Sequence, residues 1–331
     1  MPECLSVAVV IPCFKVRPHI LAVIARMPDI VDRIYVVDDA CPDASGQHVA
    51  ENCRDPRVTI CRNERNLGVG GAVLHGYAAA LADGMDVVVK IDGDGQMDPS
   101  LIPAFIAPIL RGEADYTKGN RFFDLGNIRH MPTVRIFGNA VLSFMTKLSS
   151  GYWDIFDPTN GYTAIHAGVA RRLPTHRISQ RYFFESDMLF RLNTLRAVVT
   201  DIPMDACYGE EVSNLRVSRV ASDFLLKHLR NFGKRIFYNY YLRDLSLASL
   251  ELILGLMLLL AGVAFGIHHW LLSIQTGIQT TAGTVMLSAL PIILGLQFLL
   301  GFIGHDIASV PKKPIHPLSL PATGKAGRPF N

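Results

Sequence analysis

The stretch Met85-Asp86-Val87-Val88-Val89-Lys90-Ile91-Asp92-Gly93-Asp94-Gly95-Gln96 decides how this chain is to be read. A short β-branched run stopped by a glycine-rich turn is a buried strand, here Asp86–Ile91. It ends in two carboxylates, Asp92 and Asp94, one glycine apart. Residues i and i+2 of a strand share a face, so the two are expected to project together from its C-terminal end. Paired carboxylates there form a hard-oxygen site suited to Mg²⁺ or Mn²⁺, with Gln96 as a third candidate ligand. Coordination positions stay open for phosphate oxygens.

Working outward, strands and helices alternate. Strands are expected at Ser6–Pro12, Asp32–Val37 and Val58–Arg62, and helices at His19–Met27, Ser45–Asn52 and Gly68–Asp83. This alternation predicts an α/β fold with a doubly wound, mostly parallel sheet. Such sheets bind ligands at the carboxyl ends of their strands. Three of those ends are polar: Pro12-Cys13-Phe14-Lys15, Asp38-Asp39, and Asp92 with Asp94. The run Asn66-Leu67-Gly68-Val69-Gly70-Gly71 opens the third helix, where glycines let a ligand approach the backbone and the helix N-terminus favours anions. Beyond a helix at Pro99–Leu110 come a strand near Thr117–Phe122, a helix at Pro132–Leu148, a turn and strand over Asp157–Ile165, a helix at Phe184–Arg196 and a strand near Val198–Ile202.

The chain has 331 residues and a net charge of +3, which says little about partners and gives no reason to expect nucleic acid. Its mean hydropathy of +0.26 is high for a soluble protein, and the excess lies after residue 245. Leu252–Ile267 and Val285–Ile303 are apolar for about the length needed to cross a bilayer. Before them, residues 222–244 alternate Phe224, Leu225, Leu229 and Phe232 with Lys227, Arg230, Lys234 and Arg235, the pattern of a basic helix lying on a membrane surface. The connector between the apolar runs lacks Lys and Arg, whereas both flanks carry them, which places the flanks in the cytoplasm. The expected organisation is a catalytic domain over 1–220, an interfacial helix over 221–246, a membrane hairpin over 247–306 (spans near 247–270 and 284–304) and a disordered tail over 307–331. The N-terminus enters a strand directly, so no secretory signal is expected. The six cysteines show no paired spacing and are expected to be reduced.

The order Asp38-Asp39, then Asn66 to Gly71, then Asp92-Gly93-Asp94 resembles the family 2 glycosyltransferases with the GT-A nucleotide-sugar fold. Within that family, Gly119-Asn120-Arg121 with Arg135 and Asn139, then Asp157-Pro158-Thr159-Asn160-Gly161-Tyr162, Phe184-Glu185 and the two C-terminal apolar helices, look like the polyprenyl-phosphate hexosyltransferases. The resemblance implies an enzyme that moves a hexose from a UDP- or GDP-sugar to undecaprenyl or dolichol phosphate. It implies a cytosolic catalytic domain on a membrane, most naturally the bacterial inner membrane, and a homo-oligomer that is a tetramer by analogy. It implies donor contacts from Pro12, Phe14, Asp38, Asp39, Asn66, Gly68, Gly71 and Asp92. It also implies metal binding by Asp92, Asp94 and Gln96, and an acceptor-phosphate clamp of Arg121, Arg135 and Asn139. Asp94, Arg121 and Arg135 are then the catalytic group. One departure stands out: the family's first strand often continues Pro-x-Tyr-Asn-Glu, whereas Pro12 is followed by Cys13, Phe14, Lys15 and Val16.

An acceptor phosphate is already anionic near neutral pH and needs positive charge rather than a general base, which suits bidentate arginine. Glu185 and Asp187 keep a hydroxyl acceptor open, since either could be its base, or else a structural acid. A processive polysaccharide synthase fits less well, because only two spans are present and Gln180-Arg181-Tyr182 lacks the expected Gln-x-x-Arg-Trp pattern. A catalytically silent membrane scaffold is the non-enzyme alternative.

Overall fold

The computed structural model describes residues 5–123, 133–205 and 217–317; of residues 133–135 and 217–221 only the backbone is described. The chain divides into two compact units, Met1–Phe232 with Pro311–Asn331, and Gly233–Val310.

The first unit is built on strands β1 (Val7–Cys13), β2 (Arg33–Asp38), β3 (Val58–Arg62), β4 (Val87–Lys90), β5 (Tyr116–Asn120), β6 (Thr163–His166) and β7 (Val199–Pro203). Helices α1 (Ile20–Ala25), α2 (Ser45–Asn52), α3 (Val69–Ala82) and α4 (Ile102–Leu110) join the early strands. Helices α5 (Thr133–Ser150), α6 (Ala167–Ala170) and α7 (Phe184–Leu195) join the later ones, and α8 (Val217–Phe237) follows. The sheet order is β3-β2-β1-β4-β6-β5-β7. β1 pairs in parallel with β2 and β4, β2 with β3, and β5 with β7; β6 runs antiparallel between β4 and β5. The central strands are covered on both faces, so β1 and β4 read as continuous apolar runs rather than alternating ones. Helix α3 lies close on this sheet because Gly76 has no side chain: a Cβ there would sit 2.3 Å from Val10.

Two expectations need correction. The pairing of β4 stops at Lys90, so Asp92 and Asp94 lie in the turn beyond the strand and not on one strand face. The tail is ordered as far as Pro317: Asp115, wholly buried, accepts hydrogen bonds from the backbone N–H groups of Ile315 and His316, each at 2.9 Å. The His316 ring stacks on His166 at 4.3 Å, and these contacts hold a segment whose Pro-rich composition alone suggested disorder. Residues 318–331 lie outside the described set.

The stretch expected as an interfacial helix packs one face on its own domain. Phe224 and His228 meet the Phe183 ring, and Asn231 donates to Asp187 at 2.9 Å. The other face leaves Leu225, Leu226 and Leu229 about half exposed or more. Cys13, Cys41, Cys53 and Cys61 are free thiols.

In the second unit, a turn of π-helix at Tyr238–Arg243 leads to α9 (Leu247–Thr276) and α10 (Ala282–Ala308). Both are long and apolar enough to cross a membrane, and only 11% of the apolar window of each is buried. A soluble core helix would hide that surface. The two helices touch along glycines: a Cβ on Gly295 would lie 2.7 Å from the Leu259 backbone, and one on Gly262 would lie 2.8 Å from Ile292. Small residues that let backbones approach are the usual device for helix contact in lipid, where no hydrophobic force acts between helices. At the base of this unit the buried Arg235 donates to both oxygens of Asp306, at 2.6 and 3.0 Å, and Tyr240 adds a third bond.

His166 carries a pH dependence. Its Nδ1 accepts the N–H of Gly168 at 3.0 Å, capping α6. Burial and the neighbouring His316 push its pKa from 6.5 down to about 4, against the pull of Asp86 and Asp115. Below pH 6.5 the unfolded chain takes up a proton that the fold refuses. Stability present above that pH is therefore expected to fall as pH drops toward about 4, with His166 contributing on the order of 1–2 kcal/mol after allowance for partial exposure. His166→Asn keeps a cap acceptor but cannot titrate, so urea unfolding at pH 7 and pH 4.5 should show a smaller acid loss than wild type; equal losses would remove His166 from the account.

Candidate active site

The carboxyl ends of β1, β2 and β4 open into one cleft of about 1480 Å³. Its floor comes from Pro12, Cys13 and Phe14 at the end of β1, Asp39 after β2, Lys90 ending β4, and Asp92 and Asp94 in the turn beyond it. Thr159 and Gly161, from the turn before β6, and Glu185, from the first turn of α7, close one side. Three polar strand ends do line one cavity.

Lys90 anchors the floor. An ammonium ending an apolar strand must find anions, and its Nζ lies 2.7 Å from Asp92 Oδ1 and 3.8 Å from Glu185 Oε1. Burial alone would lower its pKa, but the charges of Asp92 and Glu185 more than offset this and keep it protonated. Glu185 is pushed up by burial, against the pull of Lys90 and Lys118. Gly161 is required here: a Cβ would fall 2.2 Å from the Lys90 nitrogen and 2.8 Å from Asp92 Oδ2. Asp94 Oδ1 accepts the N–H of Gln96 at 2.9 Å, and Gly95, at φ +82°, closes that turn. Gln96 is absent from the cleft lining.

Asp39 is buried and fully engaged. Its carboxylate accepts from Asn63 Nδ2 at 2.7 Å and from the N–H groups of Leu67 and Gly68, both at 2.8 Å. It therefore ties the end of β2 to the turn that opens α3. Asp38 turns away and caps the N–H of Cys41 at 2.9 Å, packed so closely on Gly46 that no side chain would fit there.

The glycine run does not form an open anion cradle. The N–H of Gly71 donates to the Gln180 carbonyl at 3.0 Å. Cβ atoms on Gly68 and Gly70 would meet the carbonyls of Gln180 and Ser179 at 2.8 and 2.7 Å. These glycines make room for the chain's own segment 179–184 rather than for phosphate. Asn66 and Gly68 still line the cleft, whereas Gly71 does not.

Of the expected phosphate clamp, Arg121 and Asn139 are absent from the cleft lining among the described residues. Arg121 donates to both oxygens of Asp157, at 2.8 and 3.0 Å, and does not line the cleft. Burial would raise the Asp157 pKa, but the Arg121 hydrogen bonds and charge outweigh it and hold the carboxyl below its ordinary value. Around this pair lie Lys118, whose buried ammonium is lowered to about 8, and Asp201, raised by burial to about 6 and bonded to Asn120 at 2.8 Å. Asn139 sits on α5 off the cleft wall. Arg135 lies in the first turn of α5, and its side chain is outside the described residues. Asp187 is buried off the cleft lining and accepts from Ser179 N–H at 2.8 Å and from Asn231 at 2.9 Å.

Three features of the cleft carried weak sequence signals or none. Lys90, at the end of an otherwise apolar strand, was one. A second was the stripe Phe137, Val141 and Met145 on α5, spaced every four residues, which joins Phe224 and Leu225 as an apolar wall of the same cleft. The third, Arg181, lines the cleft without any pattern that marks it.

Asp92 and Asp94 suit a divalent cation in their chemistry, as hard carboxylates on the floor of a cleft that can admit a diphosphate. Among the described residues no cluster of three or more acidic, His or Cys side chains could complete a cage, so phosphate and water would supply the remaining ligands.

A mostly parallel sheet with carboxylates at its strand ends around one cleft is a fold of the GT-A type. The chain belongs to glycosyl transferase family 2, whose pattern matches residues 8–173. An undecaprenyl-phosphate mannosyltransferase of Micrococcus luteus is 29% identical over 204 residues, covering 60% of this chain and 83% of that protein. A UDP-N-acetylglucosamine–dolichyl-phosphate N-acetylglucosaminyltransferase of Methanococcus voltae is 27% identical over 215 residues, covering 61% and 85%. The fold matches glucosyl-3-phosphoglycerate synthase of Mycobacterium tuberculosis solved with Mg²⁺ and UDP, at a TM-score of 0.53 and 18% identity, over 70% of this chain and 79% of that one.

Arg121→Ala would strand a buried carboxylate, so it is expected to cost about 3–5 kcal/mol of stability in chemical unfolding. Unchanged stability would mean the Arg121–Asp157 pair does not hold this region together.

Proposed function

We propose that this enzyme transfers a hexose from a UDP- or GDP-sugar to a polyprenyl phosphate at the cytosolic face of a membrane, the bacterial inner membrane being the natural setting. The observation that carries this reading is the two-sided cleft. Its floor presents Asp92, Asp94 and Lys90 for a charged donor, and its wall presents Phe137, Val141, Met145, Phe224 and Leu225 for an apolar acceptor. The two apolar helices and the polyprenyl-phosphate enzymes among its relatives support it.

In this reading Asp92 and Asp94, with Gln96 nearby, hold Mg²⁺ or Mn²⁺, which supplies charge neutralisation for a nucleoside diphosphate leaving group. Lys90 fixes Asp92 and keeps the floor from excess negative charge. Asp39 holds the edge of the nucleotide subsite through the turn it clamps. The acceptor phosphate, drawn in by Arg135 at the start of α5, attacks the anomeric carbon directly. The bond to the diphosphate oxygen breaks, configuration inverts, and no proton has to be removed from the nucleophile. The apolar wall excludes water that would otherwise hydrolyse the donor.

A hydroxyl acceptor is the second reading, favoured by one observation: Glu185 lines the cleft with a carboxyl raised by burial, the condition for a general base. One assay separates the two. Purified protein in detergent is given Mn²⁺ or Mg²⁺, a panel of UDP- and GDP-sugars, and either a polyprenyl phosphate or the matching polyprenol. Release of nucleoside diphosphate should require the phosphate, and Asp94→Asn should reduce it on the order of a hundredfold at saturating metal. Equal use of the polyprenol would select the hydroxyl reading; full activity in Asp94→Asn would remove the metal site.

The membrane arrangement has its own test. A cysteine introduced at Gln275 should react with an impermeant reagent from outside intact cells, and one at Lys313 only after the membrane is opened. Labelling of both from one side would show that α9 and α10 do not form a spanning hairpin.

A further inference from the structure

Charge in the cleft is unevenly committed. Asp39 is consumed by three donors. Lys90 is bound to Asp92 and faces Glu185. Among the described residues, Lys90 and Arg181 are the basic side chains that line the cavity, and Arg181 forms no ion pair there. A substrate phosphate entering this space meets a floor already rich in carboxylate, so a cation at its rim would favour binding.

Arg181 is also held in place. The carbonyl before it, that of Gln180, accepts the Gly71 N–H at 3.0 Å, and its own carbonyl accepts the Phe184 N–H at 2.8 Å. Ser179 N–H is bound by Asp187 at 2.8 Å. The aliphatic stem lies over Gly68, where a Cβ would come within 2.9 Å of Arg181 Cγ and where φ is +87°. Thus the glycine turn and Asp187 together seat one arginine at the exposed edge of the cleft. A backbone fixed on both sides of an arginine, with its stem packed and no ion pair to its fork among the described residues, is arranged for a planar oxyanion partner.

We propose that Arg181 is a phosphate-binding residue of this enzyme, engaging the oxygens of a substrate phosphate at the rim of the cleft. The proposal rests on the reading of the cleft as the transfer site, and in it the Gly68–Gly71 turn seats Arg181 instead of cradling phosphate itself. Two substrates carry the required chemistry: the diphosphate of the donor and the monoester of a lipid phosphate.

The test uses the full-length protein in detergent and reads binding. UDP and GDP with Mn²⁺, and separately farnesyl phosphate, are titrated calorimetrically into wild type, Arg181→Gln and Arg181→Lys. The Gln variant should lose about ten- to a hundredfold in affinity for one of these ligands, and the Lys variant should recover part of it. Loss confined to the nucleotides assigns Arg181 to the donor diphosphate; loss confined to farnesyl phosphate assigns it to the acceptor. Equal affinities in wild type and Arg181→Gln for all three ligands overturn the proposal. Arg181 is exposed, so matching melting temperatures are expected for the variants. Gly68→Ala, whose methyl would meet the Gln180 carbonyl at 2.8 Å and the arginine stem at 2.9 Å, should displace Arg181 and reproduce the loss without touching the charge. If wild type transfers sugar to no polyprenyl phosphate, the proposed acceptor falls, while the nucleotide titrations still report on Arg181.

Discussion

A buried ammonium is tolerable only where anions surround it, and that constraint organises the catalytic unit. Lys90 ends the central strand β4 with its side chain almost wholly enclosed, so Asp92 must fold back to meet it and Glu185 must be delivered from α7. Gly161 must carry no side chain, because the nitrogen occupies the space one would need. Three separate stretches of chain are thereby fixed to one point, and that point is the floor of the cleft. Removing Asp92 or Glu185 would leave the buried Lys90 ammonium short of an anion, which is destabilising.

A second polar layer stands behind the first. Arg121 and Asp157 pair there, the Lys118 ammonium donates to the Asn160 carbonyl, and Asn120 binds Asp201. Its members come from β5, from the turn Asp157–Gly161 and from β7, so the turn that shapes the floor is itself braced from behind. This explains an arginine that resembles a phosphate ligand in sequence yet spends its hydrogen bonds on the protein. Rigid support of this kind is what a transfer site needs, since reacting groups must be held within fractions of an ångström.

Apolar side chains play two different parts in this molecule. On α5 and α8 they line a cavity beside charged groups, where an elongated apolar ligand would be shielded from water. On α9 and α10 they face outward along the whole helix length, while glycines hold the two helices together. Helix α8 is itself two-faced, with His228 and Asn231 bound to its own domain and Leu226 and Leu229 left outside.

The sequence by itself determined the elements and the family. Helix Ser45–Asn52 and strand Val58–Arg62 lie at their expected bounds, and the two apolar helices could be read from length and composition alone, because periodicity and hydrophobicity are local properties. The polar strand ends were legible for the same reason: a parallel sheet brings carboxyl ends together whatever the rest of the chain does. Tertiary structure decided the partners. Nothing local tells that β6 enters antiparallel between β4 and β5, that Asp39 clamps a turn, or that Arg121 is taken by Asp157. Nor does it tell that the glycines of 68–71 open space for residues 179–184, or that His316 returns to Asp115. Each of these joins residues from about 24 to 201 positions apart, and a hydrogen bond or ion pair over that distance depends on the closed fold rather than on either segment's own sequence.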